Sequence, residues 1–506
     1  MSLARLVSRA GSGLEAPAVS VEVHLSGGLP SFTIVGLPEV TVRESRERVR
    51  SAIINSGFDF PTRRITVNLA PADLPKQGGR FDLPIALGIL AASGQLRPIT
   101  CELPGEFVGE LGLGGELRPV SGVLPVVVQA QRHGSTLMLP EANQSEASLV
   151  TGARLLLSGS LGQCVAHLRG EAVIPLIRAA ARPATRCKIS DLDLEDVKGQ
   201  YLGRRSLEIA AAGGHSLLMI GPPGCGKTML AERLAGILPP MDGSEALESA
   251  TIQSVSLQGF DPSRWQERPF RSPHHSASAV ALIGGGQKAH PGEISLAHNG
   301  VLFLDELTEF SRHLLDQLRE PLESGKIFIA RANGANWYPA RFQWISAMNP
   351  CACGYEGDSS GRCRCTPQEI RRYCQRLSGP LLDRIDLQVR LNPVKPVELR
   401  SRSVPSEPSS QVRARVICAR QRQINRAGGL NAHTGLAKFQ QHLMIQPAVK
   451  AFLEKTATQL EYSARGFNRV LRVAQTISDL AVSEEVTEEH VAEALQYRAL
   501  DRAGVT

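Results

Sequence analysis

Hydrophobic and polar positions alternate in several short stretches of the first third of the chain. Residues 19–25 and 65–69 alternate in this way, which predicts β-strands that bury one face. Residues 42–55 instead spread apolar side chains among arginine and glutamate at helical spacing, which predicts an α-helix. The mixture predicts an α+β domain, which we place at residues 1–178.

Apolar stretches in the middle of the chain predict three buried strands, at residues 216–220, 300–306 and 342–349. We assign them to an α/β domain at residues 187–391. A linker rich in proline and serine follows, and the remaining chain contains helical spacing and helix-start signals. The helices predicted there are residues 411–426, 447–460, 463–480 and one that begins at Thr487. They predict an all-α domain at residues 409–506.

A glycine-rich loop joins the first of the three strands to a segment with helical spacing. The loop consists of Gly221, Pro222, Pro223, Gly224, Cys225, Gly226, Lys227 and Thr228. Its glycines allow backbone N–H groups to turn toward a phosphate, Lys227 can reach the outer phosphates, and Thr228 can offer its hydroxyl to Mg²⁺. A glycine turn that only resembles this motif is the alternative. All fixed positions in a strand–loop–helix context nevertheless predict a P-loop that binds ATP.

Two carboxylates end the second strand. Asp305 is placed to hold Mg²⁺, and Glu306 is placed to polarise the water that attacks ATP. An acidic strand end is unremarkable by itself, but together with an upstream P-loop it predicts hydrolysis and not binding alone. Asn349, at the end of the third strand, is a candidate for orienting the same water.

The composition narrows the class of protein. A chain of 506 residues is too long for one hydrophobic core, which favours about two to four domains. We expect a cytoplasmic protein without membrane contact, because no apolar run matches a membrane helix and the N-terminus lacks the apolar core of a signal peptide. The net charge of +7 is weak evidence for a polyanionic partner.

Four of the ten cysteines lie within one short segment. Cys351 and Cys353 form one pair, Cys363 and Cys365 form the other, and a polar loop that contains glycine separates the pairs. Two close thiolate pairs across a reversing loop supply the four soft ligands of a tetrahedral Zn²⁺ site. The favoured prediction is therefore zinc, and a redox-active pair of thiols is the alternative.

Three motifs of the first domain resemble the proteolytic domain of Lon-type proteases. They are residues 36–38, 74–84 and 109–120. The resemblance implies a Lon-like fold of the ribosomal S5 domain 2 type. The catalytic serine of those enzymes falls near Asp82 and the lysine near Leu124, so nucleophile and base are both missing. We predict a scaffold without peptidase activity, and an acid-based activity through Asp82 is the weaker alternative.

The order of motifs from the P-loop onward resembles that of AAA+ ATPases of the magnesium-chelatase group. These motifs are the P-loop, the acidic strand end, Asn349, residues 381–387 and residues 463–467. With the Lon-like domain and the segment Met348-Asn-Pro-Cys-Ala-Cys-Gly-Tyr355, the whole chain is similar to the ComM/YifB family. The resemblance implies a hexameric, ATP-dependent DNA helicase that promotes branch migration during DNA integration in natural transformation.

The resemblance also implies roles for single residues. Arg384 resembles an arginine finger that reaches the γ-phosphate held by a neighbouring subunit, and Arg465 resembles a phosphate-sensing arginine of the helical domain. Residues 283–292 and 326–341 resemble hairpins that enter the channel of related rings, where Lys288 and Arg331 are candidates for gripping DNA phosphates. Charges on hairpins are more often simply solvated, so this assignment depends on the family.

The first helix of the last domain is rich in arginine. Its face of Arg413, Arg415, Arg420 and Arg422 has the charge to bind DNA, but we favour a solvated or inter-subunit surface.

An ATP-driven ring motor that acts on DNA is the function favoured by these features. The motor subunit of a metal (magnesium) chelatase is the competing enzyme, because its ATPase core would look similar. A non-enzymatic scaffold is a third class, and it conflicts with the intact set of hydrolytic residues.

Overall fold

The computed structural model describes residues 2–11, 13–37, 40–96, 102–180, 192–286, 289–331, 334–357, 361–394, 406–459 and 462–498. An eight-stranded sheet organises the first part of the chain, in the order β10-β9-β8-β5-β1-β2-β4-β3, and β6 and β7 form a separate short ladder. The strands are β1 (Leu3–Arg9), β2 (Ala18–Ser26), β3 (Ser31–Val35), β4 (Arg64–Ala70), β5 (Glu102–Phe107), β6 (Glu110–Leu111), β7 (Leu117–Arg118), β8 (Thr136–Pro140), β9 (Arg154–Ser158) and β10 (Leu176–Arg178). The strands predicted at residues 19–25 and 65–69 are confirmed as β2 and β4.

Five helices accompany this sheet among the described residues. They are α1 (Val40–Asn55), α2 (Asp82–Ala92), α3 (Val123–Arg132), α4 (Gln144–Ala147) and α5 (Leu161–Leu168). The helix predicted at residues 42–55 is confirmed as α1. Every residue of α2 is buried, as its nearly uninterrupted apolar sequence requires, and α2 packs against β1, β2 and α1.

The positions at which a Lon-type peptidase carries its catalytic groups are buried here. Asp82 begins α2 with no exposed surface, and its Oδ2 accepts a hydrogen bond of 2.8 Å from Nε of Arg48. This bond raises the pKa of Arg48, whereas burial raises the pKa of Asp82. Leu124 is fully buried in α3. The acid-based alternative through Asp82 therefore meets a carboxylate that is already engaged in a buried ion pair.

A five-stranded parallel sheet forms the middle of the molecule, in the order β12-β15-β18-β11-β19. The strands of this part are β11 (Leu217–Ile220), β12 (Phe270–Arg271), β13 (Gly284–Gly285), β14 (His290–Pro291), β15 (Val301–Leu304), β16 (Lys326–Arg331), β17 (Gly334–Pro339), β18 (Gln343–Met348) and β19 (Leu387–Arg390). The three predicted central strands are confirmed as β11, β15 and β18. Two antiparallel hairpins, β13–β14 and β16–β17, stand outside this sheet.

Helices surround the parallel sheet. They are α6 (Tyr201–Gly213), α7 (Lys227–Ile237), α8 (Gly243–Ser254), α9 (Ala279–Ile283), α10 (Glu293–Leu296), α11 (Arg312–Gln317), α12 (Arg319–Ser324), α13 (Pro367–Cys374) and α14 (Gly379–Leu382). The remaining described helices belong to the C-terminal part. They are α15 (Ser409–Ala427), α16 (Leu436–Gln441), α17 (Pro447–Gln459), α18 (Ala464–Leu480) and α19 (Glu488–Gln496). Within the described residues, no helix combines the length and apolar character needed to cross a bilayer.

Arginines attach α15 to helices α6 and α7 beside the parallel sheet, which corrects the interpretation of this face as a solvated or inter-subunit surface. Nε of Arg413 donates 2.8 Å to the carbonyl of Gly236, and Nε of Arg420 donates 2.8 Å to that of Ala211. These carbonyls lie in the last turns of α7 and α6, where backbone oxygens lack helical partners. Arg415 pairs with Glu208 at 2.6 Å. Within one chain, Arg413 and Arg420 therefore satisfy carbonyls at helix ends, and Arg415 forms an ion pair.

The first part of the chain also contacts the core. The backbone N–H of Leu124 donates 3.4 Å to the hydroxyl of Ser254, at the end of α8. Leu14, between β1 and β2, packs into the apolar cluster beneath the β16–β17 hairpin. Gly13 lies beside Asn336 of β17 so closely that an added Cβ would be 2.7 Å from the side-chain oxygen. The β16–β17 hairpin is therefore packed on one face against the loop that joins β1 and β2.

Candidate functional site

The P-loop lies at the carboxyl end of β11. Gly224 and Gly226 have φ values of 77° and 92°, in the left-handed region that glycine adopts without strain. A Cβ on Gly221 would lie 2.7 Å from the carbonyl oxygen of Leu391, so the backbone needs glycine there for space. Helix α7 begins at Lys227, and its first N–H groups point back into the loop. The local sequence thus builds an anion cradle at a helix N-terminus.

Lys227 connects the loop to the end of β18. Its Nζ donates to the carbonyl oxygens of Gly221 at 2.7 Å and Pro222 at 3.0 Å, and to Oδ1 of Asn349 at 3.1 Å. Burial lowers the pKa of Lys227. The ammonium therefore occupies the cradle, and Asn349 is one of its partners, as expected for a residue at the end of the strand beside β11.

Thr228 and Asp305 meet directly. The Thr228 hydroxyl donates 2.7 Å to Oδ2 of Asp305, the first residue after β15. The other oxygen of Asp305 accepts 2.9 Å from the backbone N–H of Glu306. A hydroxyl and a carboxylate side by side, next to a phosphate cradle, form the oxygen donor set that a hard cation such as Mg²⁺ prefers.

Glu306 has a strained backbone and an identified partner. Its φ and ψ are 51° and 48°, a left-handed conformation that is unfavourable for a residue with a side chain. Oε2 lies 2.9 Å from Nδ1 of His275, and 53% of the Glu306 side chain is exposed. Sequence reasoning missed His275, which follows the short strand β12. A prediction of β12 as the strand beside β15 would have placed His275 near Glu306. However, β12 has only two residues, which are too few to predict a strand.

Arg384 and Arg465 line one cavity of about 520 Å³. Ser216 and Asp386, which precede β11 and β19, line the same cavity. The strands are parallel, so the cavity lies at their amino ends and the P-loop at their carboxyl ends. We name it the arginine pocket, because Arg341, Arg469 and Arg472 also line it. The two predicted arginines are therefore brought together, but away from the P-loop of their own chain.

The environment of Arg384 leaves part of its guanidinium unused. Its Nη2 contacts Glu323, and its Nη1 donates to the carbonyl of Pro380. Its Nε is buried and has no hydrogen-bond partner in the described part of the chain. Burial lowers the pKa of Arg384, and the positive charge of Arg465 acts in the same direction. Clustered cations with an unused donor are an arrangement that a bound anion would stabilise.

The four clustered cysteines converge. Their sulfur atoms all lie within 4.8 Å of one another. Cys351 Sγ is 3.4 Å from Cys353 Sγ and 3.9 Å from Cys363 Sγ, and the latter two are 3.7 Å apart. A tetrahedral site with Zn–S bonds of about 2.3 Å requires sulfur separations of about 3.8 Å. The cluster, completed by Cys365, therefore fits Zn²⁺, and none of the described cysteines forms a disulfide.

The cysteine loop also touches the P-loop. An added Cβ on Gly354, next to Cys353, would lie 3.0 Å from Cδ of Pro223. Asn349, the partner of Lys227, lies two residues before Cys351. A change in the position of the cysteine loop would therefore shift residues that contact the P-loop.

Of the two cations predicted to contact DNA, only Arg331 belongs to the described residues. Lys288 lies outside the described residues. Arg331 is the last residue of β16 and pairs in register with Gly334, so the predicted hairpin over residues 326–341 is confirmed. Residues 284–291 likewise contain the short β13–β14 ladder.

Comparisons with known proteins agree with this architecture. Family models match residues 193–399 as "Magnesium chelatase, subunit ChlI", residues 21–143 as "Subunit ChlI of Mg-chelatase", and residues 406–498 as "Magnesium chelatase, subunit ChlI C-terminal". Among curated proteins, the chain is 27% identical over 156 residues to Lon protease 2 of Bacillus subtilis, which covers 29% of this chain and 28% of that one.

Several relatives match along nearly their whole length. The chain is 49% identical to the uncharacterized protein YifB of Escherichia coli and 48% identical to the competence protein ComM of Haemophilus influenzae, and each match covers 99% of this chain and 98% of the relative. With its parallel α/β core and helical C-terminal part, the chain belongs to the ComM/YifB family of magnesium-chelatase-like AAA+ proteins.

Proposed function

We propose that this protein is an ATP-driven DNA helicase that assembles as a hexameric ring and promotes branch migration when DNA is integrated during natural transformation or recombination. The observation that supports hydrolysis best is the direct contact between Thr228 and Asp305 at 2.7 Å, with Glu306 as the next residue. A protein that only bound ATP would need the cradle but not this carboxylate pair.

Each residue of the cradle has a role in this proposal. The P-loop N–H groups and Lys227 hold the phosphates of ATP, and Thr228 and Asp305 hold Mg²⁺, which neutralises charge that develops on the phosphates. Glu306 accepts a proton from the attacking water, and Asn349 orients that water. His275 positions the Glu306 carboxylate through the 2.9 Å contact described above.

The arginine pocket supports a ring. Arg384 and Arg465 face a cavity at the opposite end of the sheet from the P-loop, so we infer that a nucleotide they contact is held by another chain. A closed ring places each chain's pocket against the next chain's cradle. Six subunits are taken from the family resemblance, and a cytoplasmic location is taken from the sequence pattern described above.

The DNA-directed part of the proposal is supported by the relative named as a competence protein and by the two hairpins. Lys288 and Arg331 belong to these hairpins and would contact phosphates without reading the base sequence. The first part of the chain, residues 1–178, is proposed to be a Lon-like scaffold, followed by the ATPase core at 187–391 and the helical lid at 409–506.

The proposed function is tested with the double variant Lys288→Ala, Arg331→Ala. We expect it to keep its DNA-free ATPase rate and its assembly, and to lose both stimulation by DNA and strand displacement on forked DNA. Its residual DNA binding should depend less steeply on salt, because fewer counterions are released. The matched control is Lys450→Ala, Lys455→Ala, which removes two exposed cations from α17.

The competing function, a metal-chelatase motor, is favoured by the names of the matching family models. It predicts an ATPase rate that DNA does not change in the parent protein. If DNA leaves the ATPase rate of the parent protein unchanged, that result therefore contradicts the helicase proposal. If the double variant instead displaces strands at the parental rate, the DNA-binding surface lies elsewhere on the protein.

We also propose that Cys351, Cys353, Cys363 and Cys365 hold one structural Zn²⁺. The proposal is supported by sulfur separations that match a tetrahedral site. Bound zinc would fix the loop that carries Gly354 against Pro223 and so help to shape the cradle.

A further inference from the structure

Two aromatic side chains lie together on the exposed face of the β16–β17 hairpin. Phe328 of β16 and Trp337 of β17 are register partners, and their ring centroids are 4.8 Å apart. Phe328 is 45% exposed and Trp337 is 56% exposed. Large aromatic side chains usually lie in cores, so two exposed rings in tilted contact on a hairpin suggest a binding partner.

The hairpin does not need this pair for its own packing. Side chains alternate between faces along a strand, and the opposite face carries Ile327, Ile329 and Tyr338, all nearly inaccessible to solvent. The Tyr338 hydroxyl donates 3.0 Å to the carbonyl of Ala289, and Leu14 packs into the same cluster. One face therefore anchors the hairpin to the molecule and the other presents aromatic rings.

Positive charge accompanies the rings. Lys326 lies on the same strand as Phe328, two residues away, so it shares the exposed face and is itself exposed. Aromatic rings next to cations are the combination with which proteins hold single-stranded nucleic acid: bases stack on the rings and the cations follow the phosphates.

We propose that Phe328 and Trp337 form a stacking site for unpaired bases of single-stranded DNA. This inference rests on the proposed function and names its substrate more closely: the strand held by the hairpin is unpaired and is gripped by its bases as well as by its phosphates. The binding is independent of sequence, because every base has a stacking face. Burial of the pair against another copy of this chain is the competing outcome.

The experiment compares two probes of equal length, an oligothymidylate and an abasic deoxyribose phosphate oligomer. Phe328→Ala and Trp337→Ala should each weaken binding of the thymidylate roughly five- to 150-fold, the range expected for one stacked base. Binding of the abasic oligomer should not change, because it has phosphates but no bases. Trp337→Phe keeps a ring and should bind thymidylate nearly as the parent does.

A spectroscopic readout accompanies the affinities. Thymidylate should quench a component of tryptophan emission in the parent that is missing from Trp337→Phe, and the abasic oligomer should quench neither. Phe452→Ala, which removes an exposed phenylalanine from α17, is the matched control and should bind both probes as the parent does.

Three results would overturn the inference. The first is equal weakening on both probes, which would mean that the variants disturb phosphate contacts. The second is unchanged binding of thymidylate. The third is loss of assembly in Phe328→Ala and Trp337→Ala, measured by light scattering, which would assign the rings to a subunit interface. A parent that binds neither probe would instead overturn the proposed function itself.

Discussion

The two ends of the parallel sheet carry different chemistry. At the carboxyl ends of the strands, charged groups find partners within the chain: Lys227 with Asn349, and Thr228 with Asp305. At the amino ends, cations gather around a cavity, and Arg384 keeps a buried Nε without a partner among the described residues. Buried donors that lack acceptors are costly. The comparison teaches that the polar groups named at the first end are paired with each other, whereas the second end keeps a buried donor without a partner among the described residues, which agrees with the proposal that a neighbouring subunit supplies an anion there.

The largest effect is expected for Arg384→Ala, which removes the unpaired donor. If Arg384 acts on the nucleotide of a neighbouring subunit, the ATPase rate should fall roughly a thousandfold or more, as for other arginine fingers. Mixing this variant with Lys227→Ala subunits should restore part of the rate, because some interfaces then combine an intact cradle with an intact arginine. Steady-state ATPase assays on mixed rings of verified composition measure this.

Glu323→Gln is the control for that experiment. It removes the partner that holds Arg384 within its own chain but leaves the arginine in place, so most of the activity should remain. Mixed rings that recover no activity would place Arg384 in the site of its own subunit. That result would contradict the proposal that the arginine pocket serves a neighbouring subunit.

Glu306→Gln should lower the turnover number by about a hundredfold or more, because an amide cannot accept the proton of the attacking water. ATP affinity and assembly should stay close to the parent's, since the carboxylate acts on water. Lys227→Ala is the counterpart, with weakened ATP binding in an equilibrium titration. Turnover near the parental rate in Glu306→Gln would remove this residue from the mechanism.

His275→Ala should lower kcat about tenfold and leave KM for ATP unchanged, because it releases the Glu306 carboxylate without touching the cradle. His275→Asn retains a donor and should recover part of the loss. A raised KM with parental kcat would contradict a positioning role and indicate instead that the P-loop was disturbed.

The smallest effect on turnover is expected from the cysteine cluster. Protein purified without chelator should contain about one Zn²⁺ per chain. The variant Cys351→Ser, Cys353→Ser should contain none and should bind ATP severalfold more weakly, because Gly354 loses its fixed position on Pro223. Cys418→Ser, which changes an exposed thiol of α15, serves as control and should keep its metal. Metal-free parent protein with four titratable thiols would exclude the site.

The carboxyl end of the sheet was largely predictable from the sequence. Lys227, Asp305 and Asn349 each end or follow an apolar strand, and in a parallel sheet such positions meet at one edge. The hairpin over residues 326–341 was equally predictable from two strand-like runs around a turn. These features depend on short spacings, which a sequence displays directly.

The amino end was not predictable in the same way. That Arg384 and Arg465 share a cavity depends on how α18 packs against α6 and α15, and no local pattern encodes that packing. The arginines of α15 were misinterpreted for a related reason. Their spacing resembles a solvated face, whereas Arg413 and Arg420 bind carbonyls at the ends of helices that are distant in sequence. Periodicity reveals which residues share a face but not what that face meets.

The left-handed backbone at Glu306 has a genetic consequence. Glycine at this position would relieve on the order of 1 kcal/mol of strain in the folded chain and give back a similar amount through its freedom in the unfolded chain. Glu306→Gly should therefore fold and assemble with nearly parental stability while lacking the carboxylate. Inactive subunits that assemble normally inhibit the mixed rings that contain them. Such an allele is therefore expected to be dominant over a wild-type copy expressed in the same cell.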